Sequence, residues 1–198
     1  MSALHIAAQM KRLLASLQEP RLAPFLTEWP SAMVDRALSP VTLPVLRWLT
    51  GLTDVPGNFA SDLVAAVCQA AASLTWRQTY TADELDAAFL DNYGWSEILG
   101  TSGALVSERL AGGFLLLGPA THYPRHRHAA EEIYLPLCGT AAWQQGDGAW
   151  RDKVPGTLIH HAGNEPHAMR TGTSPLLALY LWRGAHLAQR ACLDEPSA

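Results

Sequence analysis

The chain has 198 residues, a formal net charge of -4 and 48% hydrophobic residues, so it is long enough to bury one substantial core. Only 16% of the residues are charged, which is typical of a globular protein and excludes a disordered chain. Lys and Arg form no cluster, so nucleic acid and an anionic membrane surface are not the expected partners. No apolar run is long enough to span a bilayer, and no membrane association is expected.

Cysteine usage and the first residues of the chain bear on its location. Cys68, Cys138 and Cys192 are odd in number, widely spaced and without a C-x-x-C pair. We therefore expect buried, reduced thiols and a cytoplasmic location. The N-terminal segment carries Lys11 and Arg12 inside an amphipathic pattern instead of an uninterrupted apolar stretch, so no signal peptide is expected.

Residues 1–94 follow helical spacing. The apolar side chains predict one helix over residues 2–17 and another over residues 60–74. Thr81 and Glu84 have the spacing of a capping box, which predicts that a further helix starts there. We expect this helical N-terminal region to pack on the remainder of the chain.

Residues 95–198 have a different pattern. Short apolar stretches alternate with Gly, Pro, Asn and Asp, which is typical of sequential β-strands. Residues 126–137 are predicted to form one of these strands, and residues 145–148 a hairpin turn. Many short strands without crossover helices favour a closed all-β barrel that holds one small ligand.

The strand predicted over residues 126–137 has the strongest chemical pattern. Because alternate side chains of a strand point to one face, His126, His128, Glu132 and Tyr134 would share a face. Two imidazoles, a carboxylate and a phenol in one cavity can bind a divalent metal and handle a proton. The opposite face of this strand is apolar and requires cover.

A third imidazole is expected to complete the site. His167 follows a tight turn containing Gly and Pro that delivers it to the start of a strand, so it is the preferred ligand. His160 and His161 compete for this role, and we expect them to be structural or to support the ligands. Taken alone, His126 and His128 could also be a solvated surface pair.

Four aromatic residues are candidates for work on a substrate. Tyr134 should point to the same interior as Glu132, where a nearby cation would lower its pKa and make it a general base or a ligand. Tyr123 precedes the histidines and could approach from the barrel mouth. Tyr180 and Trp182 share a face of the last long strand and could form an aromatic wall for a cationic substrate. Each of them could instead be an ordinary core aromatic.

The histidine motifs resemble those of the cupin family. The pattern His126-x-His128-x-x-x-Glu132, closed by Gly139, is similar to the first cupin motif, and the turn that ends in His167 is similar to the second. The resemblance implies a cupin barrel, that is, a double-stranded β-helix or jelly roll, over residues 95–198.

Within the cupins, this chain resembles the dimethylsulfoniopropionate (DMSP) lyases of the DddQ type. The features that carry this resemblance are Tyr123 before the histidines, the Glu132-x-Tyr134 pair, residues 166–171 and the strand predicted over 176–182. It implies a carbon–sulfur lyase that cleaves zwitterionic DMSP by β-elimination to dimethyl sulfide and acrylate.

The resemblance also implies the roles of individual residues. One divalent transition metal, for which Zn, Fe, Mn, Ni and Co are all suited, would be bound by His126, His128, Glu132 and His167. Tyr134, or else Tyr123, would be the general base. Trp182 and Tyr180 would line the sulfonium end.

Two other functions fit the same ligands. A metal-dependent dioxygenase, isomerase or lyase could act on another small carboxylate, because the ligands alone do not fix the reaction. A cupin that binds a small molecule without turnover is the second alternative. A homodimer formed through the apolar N-terminal helices and a monomer with these helices folded over the barrel are both compatible with the sequence.

Overall fold

The computed structural model describes residues 1–52, 57–184 and 186–194. In this part of the chain, the α-helices are α1 (Ala3–Ser16), α2 (Ala23–Thr27), α3 (Ser61–Ala70) and α4 (Ala87–Leu90). Short 3-10 helices occupy Pro20–Leu22, Pro44–Leu49 and Ala71–Ser73. No helix in the described ranges has both the length and the apolar character that a membrane crossing requires.

The strands form two sheets. They are β1 (Val34–Asp35), β2 (Trp76–Arg77), β3 (Tyr93–Gly100), β4 (Leu105–Val106), β5 (Leu110–Leu117), β6 (His122–Arg127), β7 (Glu131–Cys138), β8 (Ala141–Gln145), β9 (Arg151–Lys153), β10 (Ile159–His161), β11 (His167–Thr171), β12 (Leu176–Arg183) and β13 (Cys192–Leu193). The larger sheet has the order β1-β4-β3-β5-β12-β7-β10, with β2 paired to β3. The smaller sheet has the order β13-β6-β11-β8-β9.

The larger sheet is apolar on both faces, and each face belongs to a different core. Its outer face packs in one cluster with the helices, through Ile133, Leu135, Leu137, Leu177, Leu179 and Leu181. Its inner face packs against the smaller sheet, through Leu115, Leu117, Tyr134, Leu176, Ala178 and Tyr180. The alternation of successive side chains along β7 and β12 produces this arrangement. The cover expected for the apolar face of residues 133–137 is therefore present.

Helix α1 provides much of this cover. The Ser2 side chain accepts a hydrogen bond from the His5 N–H at 3.3 Å and caps the helix. Its buried side chains are Ile6, Ala7, Met10 and Leu14. A Cβ atom placed on Gly112 of β5 would lie 3.3 Å from the Met10 methyl carbon. The helix thus packs directly on the sheet where a strand lacks a side chain.

The predicted strand over residues 126–137 is wrong, because the structure has two strands there. β6 ends at Arg127 in the smaller sheet, and β7 begins at Glu131 in the larger one. The chain bends between them, where the His128 imidazole contacts the Ala130 carbonyl and the Asn164 N–H donates to the His128 carbonyl at 2.7 Å. His128 and Glu132 therefore meet across a corner between sheets, and not on one strand face.

The helix predicted to start at Thr81 begins later. Thr81 and Glu84 do make a capping contact, in which the Thr81 N–H donates to the Glu84 carboxylate at 3.0 Å, but the contact lies in a turn. Asp86 caps the helix instead, by accepting from the Phe89 N–H at 2.8 Å. The helix α4 that follows has four residues.

The first 94 residues also contribute strands. β1 and β2 join the larger sheet, and β3 begins at Tyr93, so it crosses the predicted boundary between residues 94 and 95. The division into two regions at this boundary stays a prediction. The three cysteines are free, but Cys192 is exposed, so the expectation of a buried thiol is wrong at that position.

If the helical layer completes the core of the larger sheet, Met10→Ala should lower the free energy of unfolding by about 2 to 5 kcal/mol, since Met10 is fully buried. Leu4→Ala on the same helix is the matched control, because Leu4 is 45% exposed, and it should change stability by less than about 0.5 kcal/mol. Chemical denaturation measures both. Equal, small effects would mean that α1 does not stabilise the barrel.

Candidate active site

A buried cluster of two imidazoles and one carboxylate lies between the two sheets. The Glu132 carboxylate oxygen Oε2 is 3.0 Å from Nε2 of His128 and 3.3 Å from Nε2 of His167. One possible ligand atom from each of these three residues lies within 4.8 Å of the others. The three side chains are at most 2% exposed, so the cluster could hold a metal ion away from bulk water.

Both sheets contribute to this cluster. Glu132 lies at the start of β7, where it pairs with Trp182 of β12 on one side and His161 of β10 on the other. His167 is the first residue of β11, and His128 lies in the bend between sheets. The three groups meet only because the chain changes sheets at this bend.

Three histidines have their rings fixed in the same way. The Nδ1 atoms of His126, His128 and His167 lie 2.9, 3.0 and 2.9 Å from backbone carbonyl oxygens two residues away. Since a carbonyl accepts only from an N–H, each Nδ1 carries the proton and leaves Nε2 as the basic atom. This is the arrangement in which imidazoles bind metals in proteins. Nε2 of His167 is buried without a hydrogen-bond partner among the described residues.

The charges of the cluster are coupled. Burial alone would raise the pKa of Glu132, but the His128 and His167 imidazoles outweigh it and hold that pKa well below its usual range. Burial alone would lower the pKa of His128, but the Glu132 carboxylate outweighs it and raises that pKa. Burial and the neighbouring His167 hold the pKa of His126 well below its usual value. The cluster thus contains a buried anion ready to compensate a cation.

His126 lies beside the cluster and is not part of its closest group. Its ring centroid is 4.2 Å from that of His167 and 6.5 Å from that of His128. On its other side it stacks on Tyr123, with centroids 3.9 Å apart and planes 7° from parallel. Its role as a ligand stays a prediction.

The two candidate tyrosines lie on opposite sheets. Tyr134 of β7 is two residues beyond Glu132, and its ring centroid is 6.4 Å from that of His167. The Tyr123 hydroxyl on β6 is 3.3 Å from that of Tyr80 and 3.4 Å from that of Tyr93. Burial raises the pKa of both Tyr123 and Tyr134 well above 10. Each phenol therefore keeps its proton at neutral pH unless a cation lies close by.

The two aromatic residues of β12 occupy different positions. Trp182 contacts the cluster itself, since its indole N–H donates to Oε1 of Glu132 at 2.5 Å and its ring lies 4.1 Å from that of His128. The ring centroid of Tyr180 lies 6.2 Å from that of Trp182, further into the barrel. Trp182 thus supports the carboxylate in addition to lining the cavity.

His160, His161 and Glu131 lie around the cluster. His161 is buried and stacks on His167, with ring centroids 4.0 Å apart, and burial lowers its pKa to about 2. His160 is half-buried and contacts Glu131, which also pairs with Arg183. Glu131 is therefore an ion-paired carboxylate outside the cluster.

A cavity of about 360 Å³ opens beside the cluster. Seven of the predicted site residues lie on its wall, namely His126, His128, Glu132, Tyr134, Tyr123, Tyr180 and Trp182. The sequence did not predict one side of this cavity, formed by Gln78, Thr79, Tyr93, Trp95 and Glu97, or a rim formed by residues 187–191. The alternation Tyr93-x-Trp95-x-Glu97 could have indicated an inward-facing strand that starts before residue 95.

Comparison with known proteins identifies the family. The model of the dimethylsulfoniopropionate lyase family matches residues 21–178. The chain is 32% identical to dimethylsulfoniopropionate lyase DddQ of Ruegeria pomeroyi over 179 residues, which cover 88% of this chain and 89% of that protein. It is also 38% identical, over 122 residues, to a putative dimethylsulfoniopropionate lyase DddL of Cereibacter sphaeroides, covering 61% of this chain and 50% of that protein.

The fold agrees with the sequence comparison. The crystal structure of DMSP lyase DddQ from Ruegeria pomeroyi superposes with a TM-score of 0.87 and 31% identity, covering 99% of this chain and 98% of that one. The predicted all-β cupin barrel with an α-helical N-terminal region is confirmed. The chain belongs to the dimethylsulfoniopropionate lyases, a family of carbon–sulfur lyases.

Proposed function

We propose that this protein cleaves DMSP by β-elimination to dimethyl sulfide and acrylate, with a divalent transition metal as cofactor and a tyrosine as general base. The observation that carries the proposal is the buried group of His128, Glu132 and His167 beside the cavity, in a chain of this family. The substrate class rests on the names of the relatives, and the chemistry rests on the side chains of this chain.

The residues fit a divalent metal. His128, Glu132 and His167 would hold it, with His126 as a further ligand. Nε2 of His128 and Nε2 of His167 face the Glu132 carboxylate, and Nε2 of His167 has no hydrogen-bond partner among the described residues. Metal binding would replace the contact between His128 and Glu132 with two metal–ligand bonds. Imidazole and carboxylate ligands suit Zn, Fe, Mn, Ni and Co alike. When bound, the metal would polarise the substrate carboxylate, acidify the adjacent C–H bond and favour a phenolate nearby.

The side chains of this chain order the substrate. The carboxylate of DMSP would lie at the end of the cavity formed by the histidines, with the sulfonium directed towards Tyr180 and the wall beyond it. Trp182 keeps Glu132 in place through its indole N–H. Low exposure of the cluster keeps bulk water away, which strengthens every charge interaction there.

Elimination then requires one base. Tyr134 acts as the phenolate, its own proton having passed to solvent; its oxygen takes the proton from the carbon next to the carboxylate, and the C–H electron pair forms the double bond of acrylate. The C–S bond breaks, and its electron pair remains on sulfur. Dimethyl sulfide therefore leaves as a neutral molecule, and no oxidant or reductant is consumed.

Tyr134 is the preferred base because it follows Glu132 on β7 and lies next to the ligands. The Tyr123 hydroxyl is already close to two other phenols, and its ring stacks on His126. This environment suits a residue that positions His126. Tyr123 remains the alternative base.

The cytoplasmic location and a homodimer stay proposals. Free thiols at Cys68, Cys138 and Cys192 are compatible with a reducing compartment. The outer face of the larger sheet is covered by the chain's own helices, so a dimer would have to use another surface.

His167→Ala should remove most of the bound metal and lower dimethyl sulfide release from DMSP at least about 100-fold, because it removes one of three converging ligands. Metal analysis and gas chromatography of the headspace measure the two effects. His160→Ala is the matched control and should retain both, since His160 contacts Glu131 outside the cluster. Retained metal and activity in His167→Ala would exclude this ligand assignment.

Tyr134→Phe should lower kcat for DMSP by about 10²- to 10⁴-fold with unchanged metal content, as expected for loss of a general base. Tyr123→Phe should lower kcat less than Tyr134→Phe does, because Tyr123 is proposed to position His126 and not to take the proton. If Tyr123→Phe instead causes the larger loss of kcat, the base is Tyr123.

Metal affinity of the metal-free protein should fall as the pH decreases. The pKa of His128 is raised above 6.5 by Glu132, so a proton competes with the metal below that raised pKa. Glu132 is already ionised because its pKa is low, and it releases no proton at neutral pH. Calorimetric titration with Zn²⁺ in two buffers would measure the released proton. An affinity independent of pH between about 5 and 8 would contradict the His128–Glu132 pair.

A further inference from the structure

The cavity extends beyond the metal cluster to a second buried carboxylate, that of Glu97 on β3. Glu97 is 9% exposed and lies on the cavity wall together with Trp95 and Tyr180. The Ser102 N–H and hydroxyl donate to its Oε1 at 2.8 and 3.1 Å. The Arg77 guanidinium donates to the Ser102 carbonyl at 3.2 Å and lies 6.0 Å from the Trp95 ring centroid. Its charge partly offsets the effect of burial on the pKa of Glu97, but the two side chains form no ion pair within the ranges that the structure describes.

The register of the larger sheet connects Glu97 to the reacting end. Glu97 pairs with Gly113 of β5, Gly113 pairs with Tyr180, and Tyr180 pairs with Tyr134. These four residues form one row across the inner face of the sheet. Because neighbouring strands are about 4.8 Å apart, Glu97 lies two strands, or roughly 10 Å, from Tyr180 along this row. Gly113 has no side chain, and a Cβ there would lie 2.0 Å from the Ser96 carbonyl oxygen, so the missing side chain allows the backbones of β3 and β5 to approach closely beside Glu97.

The charged side chains around the cavity make its Glu97 end a more favourable position for a cation than its Glu132 end. Glu132 is engaged by two imidazoles and an indole, and Arg190 on the rim pairs with Glu84. The Glu97 carboxyl group lies on the cavity wall that Trp95 and Tyr180 also line. Burial raises the pKa of Glu97, and a cation bound in this part of the cavity would favour its ionised form. A carboxylate near aromatic rings is an environment that stabilises a cation through both charge and ring quadrupole.

We propose that Glu97 supplies the counter-charge that selects substrates with a cationic end. This inference rests on the proposed function, since it takes the anionic end of the substrate to lie at the metal cluster. The ligand class is a short zwitterion whose carboxylate and onium group lie at opposite ends. Glu97 is a residue for specificity and does not contact the bond that breaks.

Removal of the Glu97 charge is expected to weaken substrate binding more than it slows the chemical step. The onium group is present in the substrate before the reaction and loses its charge as the C–S bond breaks. A fixed anion therefore stabilises the bound substrate at least as much as the transition state, so its removal should raise KM and leave kcat almost unchanged.

Two ligands of equal shape test the charge directly. 3-(Trimethylammonio)propanoate carries a cationic end, and 4,4-dimethylpentanoate has the same shape with a neutral carbon in place of the nitrogen. Calorimetry on the metal-loaded enzyme measures the Kd of each. The wild type should prefer the cation, and in Glu97→Gln this preference should fall about tenfold, with a similar rise in KM for DMSP.

Two further variants distinguish the effect of the Glu97 charge from a general loss of charge and from a change in local structure. Glu108→Gln removes a charge from an exposed residue and should leave the preference unchanged. Ser102→Ala removes the hydroxyl that donates to Glu97 but keeps the backbone N–H contact and the charge, so it should also retain most of the preference. The proposal is overturned if Glu97→Gln keeps the preference of the wild type, or if Ser102→Ala abolishes it equally.

The two proposals can fail independently. If the wild type releases no dimethyl sulfide from DMSP, the proposed reaction is wrong, but the two Kd values still decide the role of Glu97. If DMSP is cleaved and Glu97→Gln changes neither KM nor the Kd ratio, the reaction stands and only the counter-charge is wrong.

Discussion

The site depends on one buried anion held between two imidazoles. An isolated carboxylate in a protein interior is costly, and Glu132 is fully buried. His128 and His167 compensate its charge from two different sheets, and Trp182 donates to its second oxygen. The position of Glu132 thus fixes where the two sheets must approach each other. A metal ion bound in this cluster would replace a proton, and the proposed ligands would already be in place.

The layers around this cluster keep it dry. On the outer side of the larger sheet, the helices cover a face composed of leucine and isoleucine. On the inner side, Tyr134 and Tyr180 pack with residues of the smaller sheet. A cluster of this kind cannot be built on one sheet with an open face, because water would weaken each of its charge interactions. The N-terminal helices therefore support the chemistry although they lie on the opposite face of the sheet.

The sequence predicted the barrel, the N-terminal helix α1 and the residues of the cluster, because apolar periodicity and short-range spacing are local properties. It did not predict the bend at His128, which depends on the Asn164 N–H from a distant turn. The inward position of Glu97 was missed because its strand begins at Tyr93, in the region that was expected to be helical. The register of β3 also shifts between Glu97 and Leu99, which alternation alone does not predict.

Two consecutive glycines in β5 link these layers. Gly112 faces outwards, where Met10 of the helical layer packs close to its backbone, and Gly113 faces inwards between Glu97 and Tyr180. Adjacent glycines on one strand therefore allow two close approaches, that of helix α1 to the sheet at Gly112 and that of β3 to β5 at Gly113. During divergence of this family, a change in ligand size that uses this strand would also disturb helix packing. Variation in ligand size should therefore arise more readily in the rim at residues 187–191 than in this pair.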